Sequence, residues 1–348
     1  MSISVAVTGA TGYAGGEVLR LLATHPEVEV KTVTAHSNAG QRLGGVAPHL
    51  RKYAEMMISE TSPETLIGHD VVFMMLPHGA SAQIAAQLPV NTLVIDAGAD
   101  HRLNSAEDWE KFYQSEHAGT WPYGLPELID QTGKKQREKL GGTKRVAVPG
   151  CYPTASLLAL TPGFQAGVLD SRDVVIVAAS GTSGAGKSAK THLIGAEVMG
   201  GMSPYGVGGM HRHTPEIEQG YSLAAGKPVQ ISFTPTLAPM PRGILVTATA
   251  KVTAPVSEEE LRTIWEKAYS AEDFVHLLPA GQWPSTKMVQ GSNHAVMQLA
   301  YDAHAHRVIV TCVIDNLTKG TAGGAIQSMN IALNLPENLG LLQEGLAP

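Results

Sequence analysis

Cys151 stands in Val148-Pro149-Gly150-Cys151-Tyr152-Pro153-Thr154, between a short apolar strand pattern and the helical pattern that follows it. A thiol at the start of a helix faces unpaired backbone N–H groups and the positive end of the helix dipole. These lower its pKa from about 8.5 into the range of roughly 3.5–7.5. The same N–H groups can hold the oxyanion formed when a thiolate attacks a carbonyl. Pro153 suits the first turn of such a helix. Cys312, the other of the two cysteines, lies in the apolar strand VIVTCVID and reads as core.

A nucleophilic thiolate needs a proton partner. Gly209-Met210-His211-Arg212-His213-Thr214-Pro215-Glu216 offers two histidines and an arginine within loop-rich sequence. In an extended segment His211 and His213 share one face and Arg212 takes the other. That grouping suits acid–base work beside an anionic substrate.

A second motif, Gly9-Ala10-Thr11-Gly12-Tyr13-Ala14-Gly15, joins the strand Ile3–Val7 to a helix. Its GxxGxxG spacing is a variant of the dinucleotide fingerprint. There glycines allow a tight turn and a pyrophosphate rests on amides at the helix N-terminus. The second strand ends in Thr34-Ala35-His36-Ser37-Asn38-Ala39-Gly40-Gln41-Arg42, which contains no acid. An NAD site places Asp or Glu there to hold the ribose hydroxyls. Ser37 and Arg42 instead accept a 2′-phosphate, so the expected cofactor is NADP(H). A third motif, Gly181-Thr182-Ser183-Gly184-Ala185-Gly186-Lys187-Ser188, satisfies GxxxxGK[ST] after a strand. As a true P-loop it predicts a helix beginning near Lys187 and an NTPase activity. No strand ending in a Walker B aspartate follows it, so the preferred reading is loop amides near substrate.

The elements that must position these residues alternate in the first half: strands Ile3–Val7, Val28–Thr34, Val71–Leu76, Thr92–Ala97 and Arg145–Val148, with helices near 15–23 and 80–87 between them. Continuous apolar strands of this kind belong to a parallel sheet covered on both faces. The predicted fold class is therefore α/β, a Rossmann-type doubly wound sheet over residues 1–150. After Cys151 the rhythm changes to a helix, the strand DVVIVAAS, a glycine-rich loop region over 181–220, and strands near 228–234, 243–251, 296–300 and 307–314. Ser257 and Glu260 form a capping box before a helix. This is a mixed α+β catalytic and oligomerisation domain over 151–317. A C-terminal helix, 318–348, is expected to rejoin the first domain.

Bulk properties are those of a globular protein. Of 348 residues, 43% are hydrophobic and 16% charged, with a net charge of −6 and no basic block, which argues against nucleic acid as a partner. No apolar run approaches the roughly 20 residues that span a bilayer. The first residues run directly into a strand without a basic leader, and the expected location is cytoplasmic. No ligand cluster calls for a metal.

Together GATGYAG, VPGCYPT, SGTSGAGK, HRHTPEI, RGI and DNLTKG resemble, in order and over nearly the whole chain, the N-acetyl-γ-glutamyl-phosphate reductase family, whose relatives are the semialdehyde dehydrogenases. The resemblance implies NADPH-dependent reduction of N-acetyl-γ-glutamyl phosphate to N-acetylglutamate 5-semialdehyde and phosphate in arginine biosynthesis, through a thioester on Cys151. It also implies acid–base work by His213, favoured over His211. Ser183, Gly184 and Asn316 are expected beside the cofactor. Arg102, Arg212 and Arg242 are candidates for holding a small-molecule acyl phosphate, although Arg102 with Asp96 and Asp100 could equally form a structural ion network. A homo-oligomer, dimer or tetramer, is expected. The family pattern often has His where this chain has Thr236. Other readings stay open: a semialdehyde dehydrogenase for aspartyl or aminoadipyl phosphate, a P-loop NTPase through 181–188, or a non-enzymatic dinucleotide-binding regulator.

Overall fold

The apolar runs of the first half form β1 (Ile3–Val7), β2 (Val28–Thr34), β3 (Ile58–Ser59), β4 (Val71–Met74), β5 (Leu93–Asp96) and β6 (Arg145–Ala147). The computed structural model describes residues 2–347 except 254. These strands pair in parallel in the order β3-β2-β1-β4-β5-β6, the arrangement of a doubly wound dinucleotide-binding sheet. Every residue of β4 and β5 is buried, because helices cover both faces.

Helix α1 (Tyr13–Leu22) presents Val18, Leu19, Leu21 and Leu22 to this core. Two further helices, α2 (Ser81–Ala85) and α3 (Ala106–Tyr113), follow β4 and β5. Asp100 caps α2, accepting from the backbone N–H groups of Gly79 at 2.7 Å and Ser81 at 3.2 Å.

Helix α4 (Cys151–Gln165) leaves β6 and enters a second core, where Tyr152 to Phe164 are all buried. Pro162 lies inside it and lacks the N–H that would bond the carbonyl of Leu158. The hydroxyl of Tyr269, on α6 (Glu258–Tyr269), donates to that oxygen at 2.7 Å. The expected capping box opens α6: the Ser257 hydroxyl accepts from Glu260 N–H at 3.1 Å, and the Glu260 carboxylate accepts from Ser257 N–H at 2.8 Å.

Seven strands form the second sheet: β7 (Leu169–Ser180), β8 (Ser203–Pro204), β9 (Ile231–Leu237), β10 (Ile244–Val252), β11 (Val275–Leu277), β12 (Ala295–Asp302) and β13 (Arg307–Ile314). Their order is β11-β12-β13-β10-β7-β9-β8, with mixed parallel and antiparallel pairs. Cys312 is buried in β13 as core. The stretch expected as loop to Gly220 ends earlier, because α5 (His213–Ala225) begins at His213.

A π-helical turn over Thr318–Ala322 leads into α7 (Gly323–Ala332), whose Ala325, Ile326 and Met329 pack with Val5 and Val7 of β1. The chain therefore returns to the first sheet, but the expected helix does not continue to 348. Asn334 takes a left-handed conformation at φ 57°, and Pro336 follows, so the helix stops. The tail still packs: Leu341 is buried in the first core and Leu346 N–H donates to Gln290 O at 2.9 Å.

One cluster of charges joins the two sheets. Arg242, between β9 and β10, lies 2.7 Å from Glu17 of α1 and 2.9 Å from Asp315 at the end of β13. It also donates to the Thr318 hydroxyl at 3.1 Å. Burial alone would raise the Glu17 pKa, but hydrogen bonds from Arg20 and Arg242 outweigh it and bring it down to about 2. Arg242→Ala leaves Asp315 buried without its cation and is predicted to cost about 3 kcal/mol in urea unfolding. Because the folded value lies below the ordinary 4.5, Glu17 contributes stability that is fully present above that pH and is lost as pH falls toward about 2. Glu17→Gln should flatten this part of the stability–pH curve.

Candidate active site

The chain leaves β6 through Val148, Pro149 and Gly150, and α4 starts at Cys151 with Gly150 as its N-cap. A side chain at Gly150 could not be accommodated: a Cβ there would lie 2.6 Å from His213 Nε2. Glycine at this position is what lets the imidazole come against the backbone beside the thiol.

The backbone conformation is held by Glu216, three residues after His213 on α5 and therefore near it on the helix surface. Its carboxylate accepts from Gly150 N–H at 2.8 Å and from the Tyr123 hydroxyl at 2.7 Å, and it pairs with Arg102 at 3.4 Å. Reading 209–216 as extended hid this residue. A helix starting at His213 would have placed Glu216 beside the site.

Cys151, Tyr152, His211, Arg212 and His213 line one cavity of about 580 Å³, with Phe112 of α3, Lys190, His192, Tyr205 and Leu237 among the other walls. His211 and His213 are 4.8 Å apart between ring centroids, although the segment is not extended. Their grouping comes from the turn into α5. His211 Nδ1 accepts from His213 N–H at 3.1 Å, whereas His213 Nδ1 is buried without a hydrogen-bond partner. Tyr205 donates to the Tyr152 hydroxyl at 2.9 Å, and Tyr152 packs edge-on to both imidazoles.

The electrostatics correct one expectation. Burial pushes the Cys151 thiol up from its ordinary value of 9.0, against the opposing Tyr152 N–H and the charges of Arg102 and Arg212. The helix start acts in the expected direction, but desolvation is larger. Burial also lowers His211 to about 4, and it holds His213 well below 6.5, helped by neighbouring cations. The resting site is thus a neutral thiol beside neutral imidazoles, not a thiolate beside a protonated histidine.

A second cleft, of about 650 Å³, is lined by Ala10, Thr11, Gly12, Tyr13 and Gly16 together with Ser183. Gly9 has φ +59°, and a Cβ there would lie 2.1 Å from Met75 O; one at Gly15 would lie 2.3 Å from Gly9 O. Ala14 and Gly15 lie under the turn and do not line the cleft. The turn, the exposed start of α1 and the cleft fit a dinucleotide pyrophosphate. Ser37 and Arg42 are exposed outside these walls, with Arg42 paired to Glu55. Ser183 lines this cleft and Gly184 the catalytic cavity. Asn316 binds the loop from behind, donating to Ser183 Oγ at 3.0 Å and accepting from Gly243 N–H at 2.8 Å.

The structure bears on three further readings. The GTSGAGKS segment forms a 3-10 turn over Thr182–Ala185 with no helix at Lys187, whose ammonium donates to Thr11 O at 3.2 Å. This is not a P-loop; the NTPase reading fails. Arg242, a candidate anion contact, is engaged by Glu17 and Asp315 as described. Arg102 is buried against Glu216 and donates to Ala97 O at 2.8 Å, outside the cavity walls. Among the candidate arginines, Arg212 alone is exposed and lines the catalytic cavity.

The thiol's environment predicts its reactivity. Iodoacetamide alkylation of Cys151 in the unliganded protein should reach half its maximal rate above pH 9.0. Arg212→Ala should move that midpoint higher, because a stabilising charge is lost. A midpoint below pH 8, the region of an activated thiol, would contradict this account of the site.

Comparison with known proteins agrees with this architecture. Residues 4–136 match the family model for the semialdehyde dehydrogenase NAD binding domain, and residues 151–316 match that for the semialdehyde dehydrogenase dimerisation domain. The chain is 70% identical over its full length to the full-length N-acetyl-gamma-glutamyl-phosphate reductase of Arthrobacter sp. (strain FB24). It is 63% identical, again over both full lengths, to the reductase of that name from Streptomyces avermitilis. Among solved structures, aspartate semialdehyde dehydrogenase II from Vibrio cholerae aligns with TM-score 0.71 at 16% identity, covering 96% of this chain and 99% of that one. The Candida albicans aspartate semialdehyde dehydrogenase with NADP aligns with TM-score 0.68 at 16% identity, covering 97% and 100%. On this full-length likeness, the chain belongs to the N-acetyl-γ-glutamyl-phosphate reductase family.

Proposed function

We propose that this protein reduces N-acetyl-γ-glutamyl phosphate to N-acetylglutamate 5-semialdehyde and phosphate with NADPH, using Cys151 as nucleophile and His213 as its proton partner. The observation that carries the assignment of roles is that His213 Nε2 comes against Gly150, the residue before Cys151, at the start of α4. His213 is preferred to His211 because His211 Nδ1 already accepts the His213 N–H.

The cavity favours an acylated substrate. Its walls carry Arg212 and Lys190 but no aspartate or glutamate. A phosphate and a carboxylate find cations there, whereas the free ammonium of aspartyl or aminoadipyl phosphate would find none to balance it. Masking that amine as an amide removes the charge. This supports the N-acetyl substrate over the two alternatives.

Because thiol and imidazole are both neutral at rest, attack is coupled to proton transfer. Cys151 Sγ bonds to the acyl carbon as His213 takes the thiol proton. Backbone N–H groups at the start of α4 stabilise the carbonyl oxygen as it becomes negative. The C–O bond to phosphate breaks, His213 passes its proton to the departing phosphate, and a thioester on Cys151 remains. NADPH, held by the turn 9–15 and the start of α1 with Ser37 and Arg42 toward its 2′-phosphate, supplies the hydride when bound. The resulting oxyanion collapses to the aldehyde, the C–S bond breaks, and the thiolate recovers a solvent proton through His213.

Self-association fits the second sheet. Burial alternates along β7, leaving Val175 and Val177 exposed at 37% and 46% on an outer face that the described residues do not cover. We assign this face to a homo-oligomer contact. Val177→Asp should lower the mass measured by light scattering and leave the far-UV spectrum unchanged.

The reaction is tested in reverse. Protein with N-acetylglutamate 5-semialdehyde, inorganic phosphate and NADP+ should generate NADPH absorbance, with NAD+ a poorer substrate. Cys151→Ser should abolish it, and His213→Ala should reduce kcat by about 10²- to 10⁴-fold. An active Cys151→Ser protein, or faster turnover with aspartate semialdehyde, would overturn the assignment.

A further inference from the structure

Two residues, Lys190 and Leu193, line both the catalytic cavity and the glycine-turn cleft. Lys190 is exposed between them. Its charge is not balanced within either set of walls. Among the described residues no carboxylate lines the catalytic cavity, and Glu17, which lines the other cleft, is taken by Arg20 and Arg242. Lys190 therefore differs from Arg242, which shares the second cleft but is consumed by ion pairs. It differs also from Lys187, whose ammonium donates to Thr11 O at 3.2 Å.

The position has a chemical consequence. On the proposed reading of the site, the acyl carbon must be reached by Cys151 Sγ from one cavity and by hydride from the other. That carbon consequently sits at the junction of the two, the place Lys190 lines. The phosphoryl group is bonded through oxygen to this same carbon, so it too lies at the junction. The substrate carboxylate, at the far end of its chain, extends into the catalytic cavity toward Arg212. The residue types match: a planar guanidinium pairs well with a carboxylate, and an ammonium on a flexible stem serves as a point charge for a phosphate that must leave.

We propose that Lys190 is the phosphoryl-binding residue of this enzyme and that Arg212 holds the substrate carboxylate; this rests on the reductase reading above. Lys190 holds the leaving phosphate during thioester formation. In reverse it holds inorganic phosphate while a phosphate oxygen attacks the thioester carbonyl and the C–S bond to Cys151 breaks.

Steady-state kinetics of the reverse reaction separate the two roles. Lys190→Ala should raise KM for inorganic phosphate about tenfold or more, the scale of one charge-assisted hydrogen bond. KM for the semialdehyde and the Kd of NADP+, read by protein fluorescence, should each change by less than about twofold. Lys190→Arg should recover most of the loss, and Arg212→Ala should show the opposite split, with the effect on the semialdehyde. A measurement independent of turnover uses inorganic phosphate to slow iodoacetamide alkylation of Cys151. Protection should persist in Arg212→Ala and vanish in Lys190→Ala. An unchanged phosphate KM, a defect that falls on NADP+ or the semialdehyde, or protection that survives Lys190→Ala overturns the proposal. Wild-type protein that shows Lys190-dependent protection but no turnover would sink the reductase reading and leave the phosphate site standing.

Discussion

The Glu216 carboxylate, buried at 1% exposure, is the point on which the catalytic geometry rests. It takes Gly150 N–H beside the nucleophile, the Tyr123 hydroxyl and the Arg102 guanidinium, three groups from different parts of the chain. Removing one partner of such a buried pair costs about 3–5 kcal/mol, because the other charge stays desolvated. That penalty makes the arrangement all-or-none. With Glu216 in place, Gly150 is fixed, and the imidazole three residues earlier on α5 comes against Gly150, in the cavity that Cys151 also lines.

Burial sets the chemistry of that meeting. A helix N-terminus and two arginines act to ionise Cys151, yet desolvation raises its thiol and lowers both imidazoles. Protons consequently stay where bonding chemistry can use them. On the proposed reading His213 accepts one at the moment of attack, and a neutral thiol is less exposed to oxidation than a standing thiolate.

The two cavities meet because the two sheets are clasped. Arg242 reaches from the second sheet to Glu17 on the helix that carries the glycine turn, and to Asp315 at the end of β13. Lys187 bonds the carbonyl of Thr11 across the same boundary. These contacts place the cofactor cleft against the wall formed by Ser183 and Gly184, with Asn316 supporting that loop from behind. Arg242 therefore joins the two sheets through carboxylates of this chain while lining the glycine-turn cleft.

Much of this was legible in residue order because it depends on local physics. Period and composition gave the parallel strands β1, β2, β4 and β5, the glycine turn before α1, the capping box at Ser257, and a cysteine at a strand-to-helix junction. The likeness of several motifs to one family then gave the substrate, which residue chemistry alone leaves at an activated carbonyl and a hydride. Where side chains at distant positions compete, the sequence had no means to choose. His211 and His213 were paired by an extended segment that is in fact the turn into a helix, and Lys187 completed a phosphate-loop pattern with no helix behind it. Arg102, Arg212 and Arg242 looked alike as candidates for one anion. Tertiary structure separated them by assigning carboxylates: Glu216 to Arg102, Glu17 and Asp315 to Arg242, and none in the cavity walls to Arg212. The sequence by itself determined Cys151's place at the head of α4, since strand, glycine and helix signals are short-range. Its protonation state was decided only by the fold, because desolvation and charge depend on what is packed around the sulfur rather than on what precedes it in the chain.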